Sequence, residues 1–279
     1  MTVVEARGLS KDFGGVLAVD DLSFSVDSGE VVGLLGANGA GKTTTMRMLL
    51  GLLAPGAGVV TVAGAPAGEV DRALVGYLPQ GLGLYPDLTV AENIAFATAA
   101  FGVPAPSLET GLAELSDRRV GDLSLGLRRR VAFIIANSHH PRVLILDEPT
   151  SGVGPLGRAW LWESIRDTAS DGSAVVVSTH YMDEAEECDR VILMAHGRQV
   201  AAGSVRDVIG GASVVEVGDH LSQAVIDEIA AGGGTVLLTR SGSRIVGLGL
   251  DTVREMVGDE APLTEAPATF EEAFVALAR

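Results

Sequence analysis

Eight consecutive residues carry the most specific chemistry in this chain. Gly36, Ala37, Asn38, Gly39, Ala40, Gly41, Lys42 and Thr43 satisfy G-x-x-x-x-G-K-[ST] at every fixed position, with Thr44 directly behind them. Glycines let a loop fold so that its backbone N–H groups converge on phosphate oxygens, and a helix starting at the end of the loop adds a dipole that favours anions. Lys42 then has the length and charge to reach the β- and γ-phosphates of a nucleotide, and the Thr43 hydroxyl is suited to ligate Mg²⁺. The flanks agree. Residues 31–35 form a short apolar run that reads as a buried strand. Met46, Leu49, Leu50 and Leu53 recur at i, i+3, i+4 and i+7 within a helix expected over 44–53. Strand, glycine loop and helix together make the motif a nucleotide site rather than a chance match.

Other residues have chemistry that such a site could use. Val143, Leu144, Ile145 and Leu146 precede Asp147 and Glu148, a buried strand delivering two acids to the carboxyl edge of a sheet, where open α/β sheets bind ligands. Asp147 is suited to hold Mg²⁺, directly or through water, and Glu148 to activate a water as general base. A similar run over 174–179 ends at His180, which reads as a γ-phosphate sensor on the same edge. Tyr77-Leu78-Pro79-Gln80 follows another short strand, and Gln80 falls in a loop. Phe13, in a turn ahead of the phosphate loop, either stacks on a base or is a half-buried core residue; its position leaves both open. Ser124 is a good helix cap, and with Gly126 it could present an anion site. Arg128, Arg129 and Arg130 read as a solvated face or as partners for surface acids, ahead of an apolar helix over 131–137. His139-His140 lacks a further His or Cys at ligand spacing and reads as a loop. Cys188 reads as a small packing residue in an acidic helix over 182–189.

The elements that must position these residues need a sizeable core, and 279 residues with 47% hydrophobic content supply one. A net charge of −16 argues against a nucleic-acid partner held by charge, since such proteins present basic faces. Only Lys11 and Lys42 are lysines, and one of the two lies in the phosphate loop. A single cysteine excludes an internal disulfide. The first residues lack the features of a signal peptide and no apolar run approaches bilayer length, so a cytoplasmic chain is expected. A strand over 59–62 follows the first helix. A mainly helical insert occupies about 81–130, with helices over 90–101 and 108–115; a helix over 156–170 and a hairpin around His196-Gly197 come later. Gly210-Gly211 reads as a boundary between a nucleotide-binding domain over 1–210 and a small α+β appendage over 211–279, which carries an amphipathic helix over 270–277.

Taken in order, these residues resemble the ATP-binding-cassette (ABC) ATPases along nearly the whole chain. The resemblance covers Phe13, the phosphate loop, Gln80, the signature over 123–127, the Asp147-Glu148 pair, the loop over 151–154 and His180. It implies an α/β P-loop NTPase core with an antiparallel β subdomain, a helical insert and a small α+β C-terminal appendage. It also implies roles: Phe13 stacking on adenine, Gln80 linking Mg²⁺ to the insert as part of the catalytic set with Glu148 and His180, and Ser124 and Gly126 meeting the nucleotide bound by a second copy. Residues 178–190 and 267–274 are similar to the exporter branch that handles drugs, polysaccharides and lipids. That branch implies ATP hydrolysis by a homodimer closed across two ATP, driving a separate multi-spanning permease from the cytoplasmic face of the membrane. A cassette serving ribosomes or DNA, or a weakly hydrolysing regulatory subunit, is the alternative. Three departures stand out. Leu125 and Leu127 replace the usual glycine and glutamine of the signature, Gly154 stands where an aspartate is usual, and the insert is short.

Overall fold

The computed structural model describes residues 1–240, 242–258 and 261–277; residues 278 and 279, expected to end the appendage, lie outside these. β1 (Thr2–Phe13) and β2 (Val16–Asp27) form a long hairpin turned at Gly14-Gly15. Along β2 the alternation buries Leu22, Phe24 and Val26 and turns their neighbours outward. β3 (Val31–Leu35), buried at every residue, leads through the glycine loop into α1 (Lys42–Leu49). β4 (Ala57–Val62) returns beside β1, and β5 (Ala65–Pro66) completes an antiparallel sheet in the order β2-β1-β4-β5.

β6 (Val75–Leu78) opens the contribution of the later chain to the central sheet. The helical insert follows as α2 (Val90–Phe101), α3 (Thr110–Ala113) and the start of α4 (Leu125–Asn137). Then come β7 (Val143–Asp147), α5 (Pro155–Ser170), β8 (Ala174–Thr179), β9 (Arg190–Ala195) and β10 (Arg198–Gly203). The strand order is β10-β9-β3-β8-β7-β6, parallel from β9 to β6, with β10 added antiparallel. After α6 (Val205–Gly210) the chain builds β11 (Val214–Val217), α7 (Gln223–Ala231), β12 (Thr235–Leu238), β13 (Ser243–Val246), α8 (Leu250–Val257) and β14 (Leu263–Glu265). These strands pair antiparallel in the order β12-β13-β11-β14, and α9 (Phe270–Leu277) follows.

One apolar cluster joins the antiparallel sheet to one face of the central sheet, with Met46, Met48 and Leu49 of α1 between them. The other face is covered by Ala132 and Phe133 of α4 and by Leu161, Trp162 and Ile165 of α5. The appendage has its own small core around Val215, Val217, Ile229, Ile245 and Val253. Its last helix leaves that core, and Phe270 and Ala273 of α9 join the cluster beneath α5 and α6. A capping box starts α9, with Thr269 Oγ1 accepting from the Glu272 N–H at 3.2 Å and Glu272 Oε2 accepting from the Thr269 N–H at 2.8 Å. Arg244 of β13 donates to the same Glu272 at 2.6 and 3.0 Å, so the sheet and the returning helix are joined by one carboxylate.

Several boundaries differ from those expected. The first helix ends at Leu49, because Gly51 adopts φ 64 in a tight approach to the Ala67 carbonyl. The 108–115 helix shrinks to the single turn of α3. The acidic stretch is a 3-10 helix over Met182–Glu187. α4 starts at Leu125, six residues before the expected 131, because Ser124 caps it. The three arginines therefore lie in the helix, not ahead of it.

Phe270→Ala should cost about 3 kcal/mol of stability, the lower end for truncating a core aromatic. Urea unfolding of the full chain tests this, and an unchanged midpoint would mean that α9 is not part of the cassette core.

Candidate functional site

The carboxyl ends of four parallel strands converge. β3 ends at the glycine loop, β6 at Pro79-Gln80, β7 at Asp147 with Glu148 next, and β8 at Thr179 with His180 next. Pairing fixes their levels: Leu35 lies opposite Thr179, Leu78 opposite Leu146, and Asp147 opposite Ser178. A cleft of about 400 Å³ opens there, lined by Phe13, Ala18, Asn38, Gly39, Gly41, Lys42, Thr43, Thr44, Gln80 and Glu148.

Gly41 is the residue on which the loop turns into α1. Its φ of 102 is left-handed, and a Cβ there would collide with the Ala18 carbonyl oxygen of β2. A Cβ at Gly36 would likewise strike the Met194 carbonyl of β9. Ala40 is buried behind the loop, and no side chain caps α1, so its first N–H groups face the cleft for an anion. Lys42, 5% exposed, donates from Nζ to the Gly36 carbonyl at 2.7 Å and the Ala37 carbonyl at 3.1 Å. Burial pulls its pKa down, and the charges of Glu148 and Asp147 oppose that.

The two acids are held by different means. Asp147 Oδ1 accepts from Ser178 Oγ at 2.6 Å and from Thr43 Oγ1 at 3.3 Å. Glu148 adopts φ 50, rare for a residue with a side chain. Its N–H donates to Ser178 Oγ at 3.0 Å, so one buried hydroxyl organises both acids. Gln80 Nε2 donates to Glu148 Oε2 at 3.4 Å, and His180 Nδ1 lies 3.3 Å from Oε1 without the alignment of a hydrogen bond. Phe13 is 51% exposed at the end of β1, with the Lys11 ammonium 5.6 Å from its ring centre. At the rim of this cleft and half in solvent, Phe13 is not a core residue.

Oxygen donors suit a hard cation such as Mg²⁺, which is typically held by one or two protein groups together with phosphate oxygens and water. Thr43, Asp147 and Gln80 offer such a set. Among the described residues no three His, Cys, Asp or Glu cluster for a metal.

Ser124 and Gly126 do not line this cleft. Ser124 caps α4, accepting from the Leu127 N–H at 3.4 Å, and a Cβ on Gly126 would sit 3.6 Å from Val153. Leu125 lies over Gly152, where a Cβ would come within 2.8 Å of its Cδ2. Gly154 leaves α5 without a side-chain cap. Two groups escaped the sequence reading. Ser178 had a signal, a hydroxyl inside a fully buried strand. Arg129, expected in solvent or on surface acids, is buried, and its Nη1 donates to the Glu148 carbonyl at 2.7 Å. Arg130 does pair with an acid, Glu109 at 2.6 Å, while lying over the Trp160 ring.

A glycine loop at the head of a central parallel strand, with acids from the next strand but one, defines a P-loop nucleotide hydrolase. The ABC transporter family model matches residues 19–151. The chain is 39% identical over 244 residues to the Nod factor export ATP-binding protein I of Burkholderia orbicola, spanning 82% of this chain and 80% of that one. It is 40% identical over 219 residues to the probable multidrug ABC transporter ATP-binding protein YbhF of Escherichia coli, spanning 74% of this chain and 38% of that protein. A solved ATP-binding subunit of an ABC transporter superimposes with a TM-score of 0.68 at 29% identity, covering 74% of this chain and 91% of that one. A bacterial ABC transporter cassette solved as a dimer shares the fold, with a TM-score of 0.64 at 21% identity over 72% and 98% of the two chains. The chain belongs to the ATP-binding ATPases of the ABC transporter family.

Lys42→Ala should weaken ATP binding tenfold or more, because it removes the cation aimed at the phosphates. Equilibrium binding of ATP to the folded variant measures this. Unchanged affinity would refute the assignment of the loop.

Proposed function

We propose that this ATPase is the energy-supplying subunit of a membrane exporter and that it works as a homodimer closed across two Mg-ATP. The observation that carries the hydrolytic reading is Glu148, with its carboxylate between Gln80 and His180 at the cleft that Lys42 lines. In this reading the loop N–H groups and Lys42 bind the phosphates, and Phe13 stacks on the adenine. Thr43, Asp147 and Gln80 would hold Mg²⁺, which neutralises phosphate charge. Glu148 takes a proton from a water as the water oxygen attacks the γ-phosphorus and the bond to the bridging oxygen breaks, releasing ADP and phosphate. His180 steadies the γ-phosphate charge. Ser124 and Gly126 serve the nucleotide of the second copy, which agrees with their standing outside this chain's own cleft.

Export is supported by the names of the relatives and by the likeness of residues 178–190 and 267–274 to the exporter branch. Among the described residues no helix is long and apolar enough to cross a membrane, so a separate permease would supply the pathway. An apolar groove of about 340 Å³ between the cassette and the insert, with Leu50, Leu52, Val75, Tyr77, Phe101 and Ile135 on its walls, suits a permease segment. Leu52, 64% exposed at this groove, extends its apolar surface into solvent, as a docking face would. Such docking puts the chain on the cytoplasmic face.

Glu148→Gln should lower turnover by about 10²–10⁴-fold while ATP binding persists. With Mg-ATP the variant should elute as a dimer in size exclusion, and adding Ser124→Arg should return it to monomer. Hydrolysis at the wild-type rate would rule out Glu148 as the base.

A further inference from the structure

Buried arginines usually face a carboxylate. Arg129 is 5% exposed, yet among the described residues it makes no ion pair. Its Nη1 donates to the backbone carbonyl of Glu148 at 2.7 Å, and its Nε is buried with no hydrogen-bond partner. Burial depresses its pKa, and the charge of Glu148 works against that. A neutral donor would satisfy one carbonyl at lower desolvation cost, so carbonyl satisfaction alone does not explain a cation here.

The other end of the bond is unusual too. Glu148 holds φ 50, a conformation that residues with side chains adopt only when their surroundings impose it. Three groups hold it. Ser178 accepts from the N–H through Oγ at 3.0 Å and through its carbonyl at 3.2 Å. The Glu148 carbonyl accepts from Arg129 Nη1 at 2.7 Å and from the Ser151 N–H of the same turn at 3.2 Å, which leaves Arg129 as the one side chain on that carbonyl among the described residues. Ser178 belongs to the central sheet and is fixed with it. Arg129 belongs to α4, the helix that Ser124 caps and whose first turn contains Gly126.

We propose that Arg129 is a positioning residue for hydrolysis: it holds the Glu148 backbone in its left-handed conformation and ties the aim of this chain's base to the seating of α4. The inference rests on the reading of Glu148 as general base. It adds that one helix serves both sites of the dimer, its N-terminus facing the partner's nucleotide and its Arg129 setting the base for its own. A shift of α4 on its partner's nucleotide then reaches Glu148 through one hydrogen bond.

The test uses the full chain with Arg129→Ala, Arg129→Lys and each combined with Glu148→Gln, and ATP as the probe. Amide hydrogen exchange is read first, because it needs no turnover. In Arg129→Ala the segment over 147–153 should exchange about tenfold faster or more, while β3 and β8 keep wild-type protection. Loss of protection across the whole sheet, or none at 147–153, would overturn the proposal. In steady state kcat should fall about tenfold to a hundredfold, the scale of a displaced catalytic group, with KM for ATP within about twofold of wild type, while Arg129→Lys recovers much of the rate. In the Glu148→Gln background Arg129→Ala should lower the residual rate no further, because the group it aims is gone. Additive losses, or a KM that rises with an unchanged kcat, would make Arg129 a structural residue. If Arg129→Ala does not fold, Arg129→Lys carries the exchange and cycle measurements. Absence of hydrolysis in the wild type would count against the ATPase reading and leave the exchange result to decide on Arg129.

Discussion

In the proposed site a chain of phosphates would share one cleft with two carboxylates, and like charges repel. Two unit charges about 4 Å apart interact by about 4 kcal/mol at the effective dielectric of a protein's edge. The structure meets this constraint with hydroxyls and with two buried cations, Lys42 and Arg129. Ser178 and Thr43 donate to Asp147, so part of its charge is already spread into hydrogen bonds before any ligand arrives. Glu148 keeps its carboxylate by Gln80 and His180 while its backbone is held separately. Lys42, buried and bonded to the loop's own carbonyls, faces the charges of both acids, which oppose the effect of burial on its pKa.

Only a parallel sheet brings so many chain ends to one edge. β3 stands between β8 and β9, and β7 and β6 follow in register, so each strand ends at nearly the same height. Side chains one residue past each strand then meet without long loops. The antiparallel sheet contributes differently. Its hairpin reaches over α1 and the loop, so that Ala18 presses on Gly41 while Phe13 stands at the rim. The same close approach that excludes a side chain at Gly41 also sets the hairpin that carries Phe13 against the loop.

Much of this was legible because the decisive residues are local. The glycine loop, the acids after β7 and the histidine after β8 each announce themselves within a few positions of a buried strand. What was hidden depends on pairing or on helix phase. Ser178 sits in an apolar strand whose meaning appears only when β7 is laid beside β8, with Asp147 opposite it. Arg128, Arg129 and Arg130 are successive residues on a helix, each turned about 100° from the last. Composition could not say which of them points inward. A helix start at 131 leaves the three arginines without a helical phase, although Ser124 is a good cap. The return of α9 was hidden for a similar reason. Its amphipathic pattern says that one face is buried, but not that the partner is the cassette rather than the appendage.

The altered signature takes on a physical meaning from its surroundings. Leu125 packs over Gly152 in the loop that leads to α5, so the third signature position is filled by contact within the chain. Gly126, beside Val153, keeps the backbone of the first turn of α4 free of a side chain. Ser124 keeps both its hydroxyl and its capping position. Leu127 packs against the apolar cluster of the insert, and the polar part of the turn stays in place. Leu125 therefore adds apolar contact between α4 and the loop after β7. That contact and the bond from Arg129 to the Glu148 carbonyl lie on the same helix and hold the same stretch of chain from two points.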